Sequence, residues 1–177
     1  RVALIGAGGI GFDVAEYLGH PQDIRPSLDI GDFLTEWGVD MRLVTRGGLA
    51  AAPPPKETSP REIHLLQRKV SKPGDGLGKT TGWIHRTTLK RRGVHLLAGV
   101  SYERIDDEGL HIRSGDERRV LAVDNVVICA GQEPLRDLHA PLRERGIEVH
   151  LIGGADVAAE LDAKRAIDQG ARVAAAL

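Results

Sequence analysis

The sequence predicts an α/β domain built on a parallel sheet, with a small antiparallel β-meander added to it. Three observations predict it. An apolar run, Val2 to Ile5, leads straight into a glycine cluster and then into a helically spaced stretch from Phe12 to Leu18. Short runs rich in Val, Ile and Leu recur at 63–67, 94–97 and 124–130, as expected of strands buried on both faces. Between residues 100 and 123, alternating segments are separated by the turns Asp106-Asp107-Glu108-Gly109 and Ser114-Gly115-Asp116-Glu117, which reads as hairpins.

The bulk numbers bound what the chain does. At 177 residues, with 41% hydrophobic and 28% charged, it can bury the core of one domain, or of one domain plus a fragment of another. A net charge of -1 gives no electrostatic footprint for nucleic acid or a membrane surface. No apolar run approaches the roughly 18 residues of a spanning helix. The single cysteine, Cys129, excludes an internal disulfide and points to a reducing cytoplasm. The chain begins at Arg1 directly in a strand and without Met, which reads as a cut through a longer polypeptide.

The first element carries the most chemistry. After the strand Val2 to Ile5, Gly6, Gly8 and Gly11 fall in G-x-G-x-x-G register, with Gly9 and Ile10 between them, and a helix follows. In a Rossmann-like unit the first glycine allows the tight turn, the second lets a pyrophosphate approach the backbone, and the third lets helix and strand pack closely. Free N–H groups and the helix dipole then face the phosphates. The glycines alone are a weak signal; the strand before them and the helix after them are the context that makes it a dinucleotide fingerprint.

Which dinucleotide depends on the next strand tip. An acid about 20 residues on selects a ribose hydroxyl, whereas an arginine nearby accommodates a 2′-phosphate. Here an insertion over about 19–61 intervenes, with a helix-like segment from Asp29 to Trp37 and a Pro-rich stretch from Ala50 to Pro60. The strand Ile63 to Gln67 then ends in Arg68-Lys69. Two cations there suit NADP(H), the arginine offering a bidentate grip.

The stretch Lys72-Pro-Gly-Asp-Gly-Leu-Gly-Lys-Thr-Thr-Gly82 resembles a phosphate loop without being one. A P-loop places its first glycine five residues before the last, at position 73, and Pro73 stands there. The reading is a flexible Gly-rich flap leaving the same strand end, able to bring Lys72, Lys79 and Trp83 to the nucleotide.

Thr80 to Arg92 reads as a helix stopped by Gly93, followed by a third strand, Val94 to Leu97, and the meander. Asp124 to Ala130 reads as another buried parallel strand ended by Gly131, with Cys129 a small core residue. Leu135 to Arg145 reads as a connection. Val149 to Ile152 reads as a strand, and a helix is expected from about Val157 to the end. The Gly153-Gly154-Ala155-Asp156 turn between them is a second, incomplete phosphate-site pattern.

Five stretches together resemble the C-terminal third of the bacterial NADPH-dependent 2,4-dienoyl-CoA reductases: Gly6 to Gly11, Leu66 to Lys69, Gly76 to Arg86, Val126 to Pro134 and Leu151 to Val157. The resemblance spans essentially the whole chain, and the 76–86 motif is its most specific part. It implies a Rossmann-like FAD/NAD(P)-binding domain: an NADPH-binding domain over 1–134, with the insertion at about 19–61, and a return segment of the FAD-binding domain over 135–177. An upstream (β/α)8 barrel carrying FMN, a 4Fe-4S cluster and the active site is implied but absent from this chain. In such enzymes NADPH reduces FAD, and electrons cross the cluster to FMN and the dienoyl thioester.

By that likeness Arg68 and Lys69 meet the 2′-phosphate, with Lys72 and Trp83 nearby, and Gly131, Gly153, Gly154, Asp156 and Val157 lie toward FAD. Related flavoproteins carry Gly-Asp where this chain has Gly153-Gly154, so an FAD contact there rests on backbone amides or Asp156. No catalytic residue and no metal ligand is assigned. The expected partners are NADPH and the remaining N-terminal domains of the same polypeptide, with no nucleic acid and no membrane. Two alternatives stay open: a structural or regulatory nucleotide module, and the tail of a related enoate reductase or trimethylamine-dehydrogenase-like flavoenzyme. The seven histidines show no metal-ligand spacing, and Lys90, Arg91 and Arg92 read as compensation of a helix dipole.

Overall fold

A computed structural model describes residues 1–21, 25–51, 54, 58–159 and 162–177. Parts of the predicted insertion, at 22–24, 52–53 and 55–57, and two residues after Val157, at 160–161, lie outside the described residues. The chain divides into two compact units, Arg1–Ala130 and Gly131–Leu177.

In the first unit, four parallel strands form one sheet: β1 (Val2–Ile5), β2 (Ile63–Leu66), β3 (His95–Leu97) and, last in sequence, the strand Asn125–Ile128. A separate antiparallel sheet holds β4 (Val100–Asp106), β5 (Gly109–Ser114) and β6 (Glu117–Leu121), so Asn125–Ile128 is β7. The parallel order is β3-β2-β1-β7. Strand side chains alternate between the two faces of the sheet, so a strand covered on both faces reads as an unbroken apolar run in β1 and as one broken only by His64 in β2. Val2, Leu4, Ile63 and Leu65 pack with Phe12, Ala15 and Leu89 of two helices, α1 (Gly9–Gly19) and a later one at Gly82–Arg91. Ala3, Ile5 and Leu66 turn the other way, onto Val100, Leu110, Ile112 and Leu121 of the meander. Both faces are covered, as a parallel sheet requires.

β7 departs from the expectation of a fully buried strand. It is the sheet's edge, and Asn125 and Ile128 are exposed. An edge strand has one ladder partner, here β1.

Within the insertion, α2 (Ile30–Trp37) starts where Asp29 accepts a hydrogen bond from the Asp32 N–H at 2.9 Å and stops at Gly38, in the left-handed region. The helix Gly82–Arg91 is α3. Its terminal cations do more than offset a dipole. The Arg92 side chain is buried and pairs with Glu36 at 3.3 Å. Arg91 lies over the Trp37 ring at 5.6 Å and donates to the Glu36 carbonyl. They tie the insertion helix to α3.

The second unit holds α4 (His139–Glu144), a 3-10 turn at Gly153–Ala155 and α5 (Ala163–Ala176). Three expectations change here. Residues 135–145 include a helix rather than a plain connection. Val149 to Ile152 forms no strand, because no neighbouring strand offers it a ladder among the described residues. The last helix begins at Ala163, where Asp162 caps it by accepting from the Arg165 N–H at 2.7 Å, and not at Val157. Among the described residues no helix is long and apolar enough to cross a membrane.

Candidate functional site

The site grows from the turn between β1 and α1. Gly6 has φ +113°, and a Cβ there would lie 2.6 Å from the Cys129 carbonyl oxygen. Only glycine meets both conditions. Its N–H donates to the Leu66 carbonyl at 2.8 Å, locking the turn to the end of β2. At Gly11 a Cβ would stand 1.8 Å from the Gly6 oxygen, so glycine is what lets α1 sit down on the turn.

Gly8 is different. A Cβ there would meet nothing within 4 Å, so packing does not call for glycine; what it leaves is open room beside the backbone. Gly8 caps α1 without a side-chain bond, and no acid lies in the first turn. The amides of Gly9, Ile10 and Gly11 therefore lack an intrahelical carbonyl, and the positive end of the helix is uncompensated from within. Open space, free amides and positive potential fit a diphosphate.

A cavity of about 420 Å³ opens here, walled by Gly6 and Gly8, by Arg68 and Lys69 after β2, by Asp75 and by Tyr102. Its size lies within the roughly 300–1,000 Å³ of small-ligand sites. Tyr102 reaches it from β4, beside a register shift between Tyr102 and Arg104, a bulge of the kind that re-aims side chains. Burial pushes the Tyr102 hydroxyl pKa up and the Arg68 guanidinium opposes it, so the two share one stretch of wall.

The Gly-rich loop is pinned to the core at Pro73, Gly74 and Leu77, while Gly78, Lys79 and Thr80 are exposed. Pro73 and Gly74 are buried. Gly74 has φ +77°, and a Cβ there would lie 2.6 Å from the Phe12 ring. Its carbonyl accepts from Arg86 Nη1 at 2.8 Å. The Asp75 N–H donates to the Lys72 carbonyl at 3.0 Å, and Leu77 packs against the helix-side core.

Of the residues the sequence singled out, Gly6, Gly8, Arg68 and Lys69 meet in one cavity. Gly9, Ile10 and Gly11 form the first turn of α1. Lys72 is exposed and Trp83 is 55% exposed at the start of α3, and neither lines the cavity. Asp75 and Tyr102 were missed. The signal for Tyr102 was its place two residues after Val100, on the inward phase of β4; for Asp75 it was only an acid inside a Pro-Gly-Asp-Gly turn.

In the second unit Gly131 is exposed, with φ +85°. Gly153 donates its N–H to Gln169 Oε1 at 2.7 Å, and Asp156 Oδ2 accepts from Gln169 Nε2 at 3.0 Å. Gln169, also missed, closes this turn from α5. Gly154 is half-buried and Val157 is exposed, the Val157 carbonyl accepting from Arg165 at 2.5 Å.

Burial pushes the Cys129 thiol pKa up, which keeps it protonated and suits a packing role. Among the described residues one group with metal-ligand chemistry does form, Asp106, Glu108 and His111, their ligand atoms within 4.8 Å. It sits at the exposed hairpin turn, where His111 Nε2 and Asp106 Oδ1 are 2.8 Å apart and bonded to each other.

The fold and the glycine turn are those of a dinucleotide-binding domain, and sequence comparison supplies the family. The family model described as pyridine nucleotide-disulphide oxidoreductase matches residues 1–166, and the chain belongs to that family. It is thus a Rossmann-like FAD/NAD(P) domain with an oxidoreductase role. Among solved structures it is similar to a 2-naphthoyl-CoA reductase, with 19% identity, a TM-score of 0.61, and coverage of 96% of this chain and 20% of that one. It is also similar to histamine dehydrogenase from Rhizobium sp. 4-9, with 14% identity, a TM-score of 0.59, and coverage of 98% and 22%. The chain spans about a fifth of the length of these relatives.

Proposed function

We propose that this chain is the NADPH-binding module of a flavin-dependent 2,4-dienoyl-CoA reductase, working in unsaturated fatty acid oxidation in the cytoplasm. The observation that carries the nucleotide half of this reading is the single cavity where the Gly6–Gly8 turn and the Arg68-Lys69 pair meet. The amides opening α1 hold the diphosphate. Arg68 grips the 2′-phosphate through its planar fork and Lys69 adds a point charge. Bound NADPH supplies the hydride that reduces FAD. The residues of this chain bind and orient the nucleotide, and none of them is assigned a catalytic role.

The Gly76 to Arg86 motif supports the dienoyl thioester over an amine as the substrate of the whole enzyme. The name of one structural relative points to a CoA thioester and that of the other to an amine. The unit Gly131–Leu177 is read as the returning part of the FAD domain. Because Gln169 already engages Gly153 and Asp156, Gly154 is left as the freer contact of that turn. Partners on this reading are the upstream domains carrying FMN, the 4Fe-4S cluster and the active site.

The test is anaerobic stopped-flow spectroscopy on the polypeptide with its upstream domains. NADPH is expected to bleach the flavin and a 2,4-dienoyl-CoA to restore it. Arg68→Ala with Lys69→Ala raises the NADPH concentration for half-maximal rate roughly tenfold or more and changes the limiting rate little, as loss of uniform binding does. A flavin that NADPH leaves oxidised would sink this reading in favour of a structural nucleotide module.

A further inference from the structure

Among the residues lining the cavity is one type that a site for a 2′-phosphate does not need, an acid. Asp75 lines the same cavity as Arg68 and Lys69. In the Rossmann arrangement an acid accepts from ribose hydroxyls and a cation takes the extra phosphate, and both come from the region of the second strand tip. Here the cations stand at that tip and the acid arrives from a different segment, the Gly-rich loop. We infer that Asp75 is a selectivity residue: it accepts from a ribose hydroxyl and opposes the 2′-phosphate, so that NADH stays a competent ligand beside NADPH.

Three contacts build Asp75 into the wall. Gly74, next to it, rests on the Phe12 ring in a conformation that favours glycine. The Gly74 carbonyl accepts from Arg86 Nη1 at 2.8 Å. The Asp75 N–H is tied back to the Lys72 carbonyl at 3.0 Å. Its carboxylate is exposed and makes no hydrogen bond or ion pair among the described residues, so its charge is available to a ligand. Arg86 is then a positioning residue. It does not line the cavity, and its guanidinium holds the turn that carries Asp75.

The inference rests on the nucleotide reading above, and one set of titrations separates the two. NADPH and NADH are titrated calorimetrically into the wild-type chain, Asp75→Asn, Arg86→Lys, Arg86→Ala and the Arg68→Ala/Lys69→Ala double variant, at low and high salt. Asp75→Asn is near-isosteric and exposed, so folding is not at issue. It is expected to raise the NADPH-to-NADH affinity ratio roughly three- to tenfold at low salt, and less at high salt, where charge repulsion is screened. Arg86→Ala moves the ratio the same way and Arg86→Lys restores it in part, which a purely structural role would not do. An Asp75→Asn ratio equal to that of wild type overturns the inference even while the double variant still loses NADPH. If neither nucleotide binds the wild-type chain, the nucleotide reading falls and this inference falls with it.

Discussion

In the unit Arg1–Ala130, Ala3, Leu4, Leu65, Leu66, Leu89 and Leu110 are fully out of water, while in Gly131–Leu177 only Gly153 and Ala158 are buried among the described residues. The second unit shows Leu135, Leu138 and Ile167 at 70% exposure or more. Its order comes from local polar ties instead: Arg136 to the Ala155 and Asp156 carbonyls, Arg165 to Val157, and Gln169 to Gly153 and Asp156. Hydrophobic burial is the dominant favourable term in folding. The first unit therefore carries its own stability, and the cavity beside the Gly6–Gly8 turn belongs to it. The second is a segment shaped by caps and turns, with its apolar side chains uncovered within its own bounds.

Truncating one apolar side chain in each unit separates them most sharply. Leu65→Ala removes a wholly buried side chain between two helices and the sheet, and is expected to cost about 2–5 kcal/mol in denaturant unfolding. Ile167→Ala, on exposed α5, is expected to stay within about 0.5 kcal/mol. Equal losses at the two positions would break the comparison.

Next come the two glycines of one turn. Gly11→Ala forces a backbone contact of 1.8 Å to relax and is expected to lower the melting temperature by several degrees, an effect on the order of 2 kcal/mol for strained packing. Gly8→Ala fills open space, so the melting temperature holds while nucleotide affinity falls roughly tenfold through the blocked approach to the backbone. A Gly8→Ala variant that melts early but still binds would reverse the roles given to them.

A smaller effect lies on the meander-facing side of β2. His64 is buried, stacked on His95 with ring centroids 4.8 Å apart, and its Nδ1 is buried without a partner among the described residues. Burial lowers its pKa below the ordinary 6.5; Glu62 opposes the shift, and His95 and Arg119 add to it. The unfolded chain therefore takes up the proton first. The stability this residue gives is present above 6.5 and is lost as pH falls through the lowered folded value. Thermal unfolding from pH 7.5 to 5 is expected to show that loss, and His64→Leu to flatten it. An unchanged slope in the variant would assign the pH dependence elsewhere.

Much of the first unit was legible because its signals are local. The apolar run Val2 to Ile5, the glycine register and the two hairpin turns each depend on neighbours in sequence, and each appears where expected. What failed depended on partners. Val149 to Ile152 has strand composition but no ladder to join among the described residues. The Asn125–Ile128 strand has the apolar pattern of a central strand and the position of an edge one. Arg92 sits in a run of cations that looks like a solvated helix end, yet Glu36, far away in sequence, takes it into the interior. The same holds for the site. Arg68 and Lys69 follow from a strand tip, whereas Asp75 and Tyr102 enter the cavity from a pinned loop and a bulged strand, whose placement no spacing rule gives.

On the proposed function, one cavity of the first unit holds a diphosphate on glycine amides and a 2′-phosphate on Arg68 and Lys69. Calorimetric titration of the wild-type chain against its Arg68→Ala/Lys69→Ala variant, with NADPH and NADH, measures this most directly. The expected result is tighter binding of NADPH than of NADH by wild type, with the preference lost in the variant and NADH binding kept. Equal affinity of the wild-type chain for both nucleotides, or a preference that survives loss of both cations, would contradict it.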